Sequence, residues 1–200
     1  MPNGIQEYYD KTAKEWAERG YTEESEIPSF REFTALLPPG GRVLDLCCGT
    51  GYDCQRFCSL GFEVVGLDLS EECLRIARKH NPGLPFYQGD MLEDYSHIGP
   101  VDGISVFAGL VHIENRDLPT AFARMAQVLR PGGLLLAAVR EGSGKIDSLS
   151  ISEIDGQTYD RNFIGHTLAD LTAAMGPEFS YLQELSSDMS VWHAYLFRRK

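Results

Sequence analysis

A chain of 200 residues with 43% apolar side chains can bury one sizeable core without disulfide or metal help, so a single domain is expected. Its net charge of −11 at pH 7 leaves no basic face for a phosphate backbone, which argues against nucleic acid and for a small-molecule partner. No run of about 18 apolar residues offers a membrane span, Met1 to Asp10 are too polar for a secretory leader, and five cysteines confined to the first half suit free thiols in the cytoplasm.

Gln6 to Arg19 carries Tyr9, Ala13, Trp16 and Ala17 at helical spacing, which predicts an amphipathic helix stopped by Gly20. A second helix is expected after Pro28, with Phe30, Phe33, Leu36 and Leu37 as its apolar stripe and Pro38-Pro39-Gly40-Gly41 as its end. From Arg42 onward, short apolar runs alternate with helical patterns: a strand at 43–46, a helix at 52–60, a strand at 64–67. Ser70 is placed to cap the next helix, which runs to His80 with Glu71 and Glu72 at its positive end. Strands at 86–88 and 103–107, a helix at 118–129 and a fifth strand at 134–139 complete the alternation, which signals parallel strands joined by crossover helices.

Residues 140–165 are polar, rich in glycine and irregular in pattern, longer than most connections in a compact domain, and so a candidate functional loop. Thr167 and Asp170 then form a capping pair for a helix to Met175, and strands at 181–185 and 191–197, with no helix between them, are expected to pair antiparallel.

The chemistry concentrates at strand ends. Val43-Leu44-Asp45-Leu46-Cys47-Cys48-Gly49-Thr50-Gly51 is a buried strand running into a glycine turn and a helix, where Gly49 and Gly51 leave room for a ligand to approach backbone. Dinucleotide enzymes place a Gly-x-Gly-x-x-Gly turn here, but Cys54 replaces the third glycine, and Asp45 inside the motif suits a cationic ligand instead. Asp68 ends the second strand, with Leu69 beside it, where a carboxylate accepts from ribose hydroxyls; Gly89-Asp90-Met91 follows the third, with Asp90 for an adenine amino group and Met91 for the ring. The spacing of Cys47, Cys48, Cys54 and Cys58 does not match paired zinc ligands, so no metal is expected; Cys54 and Cys58 read as one buried helix face.

These motifs, together with Tyr8-Tyr9-Asp10, Leu110-Val111-His112-Ile113 and Leu129-Arg130-Pro131-Gly132-Gly133, resemble the class I S-adenosylmethionine-dependent methyltransferases over roughly residues 5 to 140. The resemblance implies an α/β fold: a Rossmann-like, seven-stranded, mostly parallel sheet with helices on both faces and the last strand antiparallel. It also implies a helical cap over residues 1–40 on a core of 41–200. Gly49, Gly51 and Cys47 would lie by the methionine part of the cofactor, Asp68 at the ribose, Asp90 and Met91 at the adenine, and Phe107, Ala108 and Leu110 at the sulfonium, with Tyr9 in a covering helix.

His112, after the fourth strand, is the candidate base, and Tyr159, Arg161 and His166 are candidate substrate contacts in the segment where such proteins place them. The expected reaction is methyl transfer to an O, N, S or C nucleophile of a small molecule, releasing S-adenosylhomocysteine. Phe107-Ala108-Gly109-Leu110 stands where base and amide methylases carry an Asn-Pro-Pro-Tyr type sequence. Two rivals are a protein that binds S-adenosylmethionine without transferring its methyl, and a nicotinamide oxidoreductase.

Overall fold

The computed structural model describes residues 4–22, 27–188 and 190–200. Helices α1 (Gly4–Thr22) and α2 (Pro28–Leu36) precede β1 (Arg42–Leu46), α3 (Tyr52–Ser59), β2 (Glu63–Asp68), α4 (Glu71–His80), β3 (Phe86–Gln88), β4 (Val101–Phe107), α5 (Leu118–Val128) and β5 (Leu129–Arg140). Then come β6 (Gly144–Lys145), α6 (Asp147–Ser150), β7 (Ile151–Ile154), β8 (Gln157–Asp160), β9 (Ile164–Gly165), α7 (Leu168–Ala174), β10 (Phe179–Leu185) and β11 (Trp192–Arg199).

Seven strands form one sheet in the order β10-β11-β5-β4-β1-β2-β3. Neighbours β4, β1, β2, β3 and β5 pair in parallel, and β11 runs antiparallel to both β5 and β10. Because side chains alternate across a strand, Leu44, Leu46 and Val65 face α5 and α7, where Phe122, Met125 and Leu171 are buried, while Val43 and Val64 face α2, α3 and α4. Each fully buried Phe or Leu contributes about 1.5–3 kcal/mol. The strand order reverses between β1 and β4, and open α/β sheets bind ligands at such a crevice, outside the strands' carboxyl ends.

Ser70 caps α4 by accepting from the Cys73 amide at 3.1 Å, and Thr167 with Asp170 makes a complete capping box on α7. Several expectations need correction. Gly20 does not stop α1, which continues to Thr22; a Cβ there would lie 3.3 Å from the Tyr52 Cβ, so the glycine serves close helix packing. Leu36 is 52% exposed and off the α2 stripe, which Phe30, Phe33 and Leu37 form. Cys58 is exposed; the buried face of α3 is Cys54 with Phe57, and all five cysteines are free. Pairing of β5 begins at Leu129, with a break in register between Val101 and Gly103 where Arg130 to Gly133 bulge out. The segment 140–165 is not irregular: β7 and β8 form a hairpin, and β6 with β9 tie its base. Its polar, exposed strands hid the alternation that buried strands show.

Candidate active site

A cavity of about 340 Å³ opens at the carboxyl ends of β1, β2, β3 and β4, roofed by α1. Its floor is the turn after β1. The amides of Cys47 and Cys48 both reach the Leu67 carbonyl, at 2.7 and 3.1 Å, so the turn is hooked onto β2. Cys47 sits at φ +64° and Ala108, in the turn after the neighbouring strand β4, at φ +58°, conformations that cost a non-glycine residue of order 1 kcal/mol or more and gather at ligand sites.

The two glycines of the turn do different things. Gly49, at φ +52°, faces open space: nothing lies within 4 Å of a Cβ built on it. Gly51, at φ +79°, is packed against α4, where a Cβ would come 2.8 Å from the Cβ of Ala77. The expectation that Gly51 leaves room for a ligand is therefore corrected: it leaves room for a helix, and it is not on the cavity wall.

Asp68 lines the cavity and accepts from two backbone amides, Gly49 at 2.8 Å and Ser70 at 2.9 Å. Burial holds its carboxyl above the ordinary range, against the lowering effect of those amides. Leu69, Asp90 and Met91 are also on the wall, and one Asp90 oxygen accepts from the Leu92 amide at 2.9 Å. Asp45 is not on it. This carboxylate is 3% exposed behind the turn, takes the Cys54 thiol at 3.2 Å, and is pushed well up by burial and by Asp53. The acid that does line the cavity from this quarter is Asp53, in the first turn of α3, 3.4 Å from the Arg56 guanidinium.

Helix α1 is fastened over the cavity at three points. Ala13 and Ala17 pack on Cys73 and Ile76 of α4. Asp10 takes the Ser70 hydroxyl at 2.5 Å, and Tyr21 donates to the Thr50 carbonyl at 2.9 Å. Tyr9 and Trp16 project to the cavity from the same helix. The Tyr9 hydroxyl lies 2.8 Å from His112 Nε2, and His112 Nδ1 lies 2.9 Å from the Arg161 carbonyl. A carbonyl only accepts, so Nδ1 carries the proton and Nε2 accepts from the phenol. Burial lowers the His112 pKa to about 4, which keeps the ring neutral, and burial raises the Tyr9 phenol well above its ordinary value.

Phe107, Ala108 and Gly109 line the wall beside His112, whereas Leu110 is fully buried behind it. The candidate substrate contacts lie one layer back. Tyr159 is 4% exposed and donates to the Gln157 side chain at 2.7 Å. His166 is fully buried, with Nε2 donating to the Leu110 carbonyl at 2.9 Å and thereby bracing the turn that carries His112. Arg161 stands behind Tyr9 and His112. Among the described residues, no three His, Cys, Asp or Glu side chains converge to hold a metal ion, and no helix is long and apolar enough to cross a membrane.

Residues 43–133, which contain the turn and every carboxylate on the cavity wall, match the model of the methyltransferase domain family. Over this stretch the chain carries a methyltransferase domain, and it is similar to S-adenosylmethionine-dependent methyltransferases. Among its relatives in this family, YqeM of Bacillus subtilis, a methyltransferase by name, is 31% identical over 82% of this chain and 66% of its own length. Trans-aconitate 2-methyltransferase of Acidovorax sp. is 29% identical over 78% and 61%. The chain thus spans about three-fifths to two-thirds of the length of these relatives. Among solved structures, DhpI in complex with SAH superposes with a TM-score of 0.77 at 20% identity, covering 100% of this chain and 98% of its own. A TehB-like SAM-dependent methyltransferase of Corynebacterium glutamicum superposes at 0.74 with 17% identity, over 97% and 99%; both establish the fold.

Sequence reasoning did not single out Asp53, which lines the cavity, or the role of Asp10 in holding α1 to Ser70. Asp53 had a legible signal, a carboxylate two positions after the glycine turn at a helix start. Asp10 stands in the Tyr8-Tyr9-Asp10 motif, but its partner Ser70, 60 positions away, is not legible from spacing.

Proposed function

We propose that this chain is an S-adenosylmethionine-dependent methyltransferase acting on a small molecule. The observation that supports it most is the cavity's carboxylate wall: Asp53, Asp68 and Asp90 stand at or just beyond the carboxyl ends of three consecutive strands, around a floor opened by Gly49. Such a wall suits a ligand with a cationic amino-acid end, a ribose and an amine-bearing base. Asp68 would accept from the ribose hydroxyls, Asp90, Met91 and Leu69 would hold the adenine, and Asp53 with the Gly49 turn would hold the methionine end. Cys47, Phe107 and Ala108 would surround the sulfonium. When bound, the cofactor supplies a methyl group already activated on sulfur. The chain's own residues then align an acceptor for in-line attack and exclude water.

His112 fits a positioning role better than that of a free base, since both of its nitrogens are engaged and burial keeps it neutral. It fixes the Tyr9 hydroxyl at the cavity edge. Residues 1–40 act as a cap and 41–200 as the core in this reading. The acidic composition favours small molecules over nucleic acid, and free thiols favour the cytoplasm. The name of one relative, trans-aconitate 2-methyltransferase, points to a small molecule as well. Transfer of labelled methyl from S-adenosylmethionine across a panel of small acids, amines, phenols and thiols tests the proposal. Labelled product with any of them supports it; tight cofactor binding with no transfer to any member would favour a binding protein.

A further inference from the structure

The charges around the cavity are unevenly placed. Asp53, Asp68 and Asp90 line one side, with Asp10 behind them at the α4 N-terminus. Behind the opposite side, one layer off the cavity wall, stands the Arg161 guanidinium, which hydrogen-bonds the Tyr9 hydroxyl and whose positive charge is felt by both Tyr9 and His112. Its carbon lies 4.7 Å from the centre of the Tyr8 ring and 5.5 Å from that of Phe163. Its Nε donates to the Leu149 carbonyl at 2.9 Å. No carboxylate stands within ion-pair distance of it among the described residues, although the chain carries 29 acids. Its neighbour Asp160 is turned away to Lys145 and the Asn162 amide.

A guanidinium packed against two rings, held at Nε and hydrogen-bonded to the Tyr9 hydroxyl is fixed in place beside Tyr9, and the donors left on its terminal amino groups lie in a plane suited to an oxyanion. A half-buried cation of this kind is costly without a counter-ion. We propose that Arg161 selects the acceptor: the substrate carries an oxyanion, a carboxylate or a phosphoryl group, which enters beside Tyr9 and pairs with the Arg161 fork. The cavity then has two poles, an acidic one for the cationic cofactor and a basic one for an anionic acceptor. The inference rests on the proposed cofactor reading, because it assigns the remaining pole to the acceptor.

The test titrates benzoate, phenyl phosphate, benzamide and benzylamine into the protein saturated with S-adenosylhomocysteine, followed by the NMR signals of the His112 ring. Benzoate or phenyl phosphate should bind roughly tenfold or more tightly than benzamide and benzylamine, the scale of one charge-assisted hydrogen bond. The tighter of the two anions identifies the oxyanion. The preference should vanish in Arg161→Gln and survive in part in Arg161→Lys, which keeps the charge without the fork. Both variants retain the backbone carbonyl that holds His112, so retained S-adenosylhomocysteine binding and a cooperative melting transition serve as the folding control. Equal binding of all four probes, preference for benzylamine, or an anion preference that persists in Arg161→Gln would overturn the proposal. Failure of S-adenosylhomocysteine itself to bind is a separate result that counts against the cofactor reading, and the anion comparison can still be made on the free protein.

Discussion

On the β1–β3 side, the cavity wall is backbone and carboxylate: amides fixed by the sheet, glycine in left-handed conformations, acids at strand ends. On the α1 side it is aromatic rings, a neutral imidazole and, one layer back, a guanidinium, held by side-chain contacts between distant segments. The first wall is as rigid as the sheet that carries it. The second depends on α1 lying in place, held by the Asp10 and Tyr21 hydrogen bonds and by its buried Tyr8, Thr12, Ala13 and Ala17.

Substitutions at the two glycines of the turn sharpen this contrast most. Gly51→Ala should destabilise the fold by about 2–4 kcal/mol in urea unfolding, from a left-handed backbone and a Cβ driven into Ala77. Gly49→Ala, which meets open space, should cost only about 1–2 kcal/mol of stability and act mainly on cofactor affinity. Equal stability losses would erase the distinction between them. Next in size, Asp68→Ala should weaken S-adenosylmethionine binding by about 1.5–3 kcal/mol, read by calorimetry; unchanged affinity in a folded variant would remove Asp68 from the ribose.

The α1 side should respond to pH. His112 has its folded pKa depressed from 6.5 to about 4, so the unfolded chain takes up a proton that the folded one refuses. Its contribution is complete well above pH 6.5 and is lost as pH falls toward 4, by about 1–2 kcal/mol between pH 6.5 and 5. The buried acids Asp45, Asp53 and Asp68, raised in the fold, act with the opposite sign. The comparison of wild type with His112→Gln isolates the histidine: the variant should lack that loss, and parallel pH curves would contradict the neutral buried ring. The smallest effect is that of Tyr9→Phe, about 1 kcal/mol of stability, with the His112 pKa moving up from about 4 once its donor is gone. An unmoved His112 titration by NMR would break the link.

The same division governs what the sequence reveals. The seven strands, the Ser70 and Thr167 caps and the acids at 68 and 90 follow from local signals, because each sits where a periodic apolar run ends. Asp45 misled, since position in a motif says nothing of which side of the turn a carboxylate faces; it points into the protein and Asp53 into the cavity. The Tyr9, His112 and Arg161 cluster joins residues 103 and 49 positions apart, a juxtaposition made by tertiary packing that no spacing encodes. The hairpin of β7 and β8 was illegible because both strands are largely exposed and lack the apolar alternation on which strand reading depends.

The central claim is that the acidic wall holds S-adenosylmethionine. Calorimetric titration with S-adenosylmethionine, S-adenosylhomocysteine and NADH in parallel tests it directly. The account predicts micromolar binding of the first two and none of NADH; binding of NADH alone would contradict it.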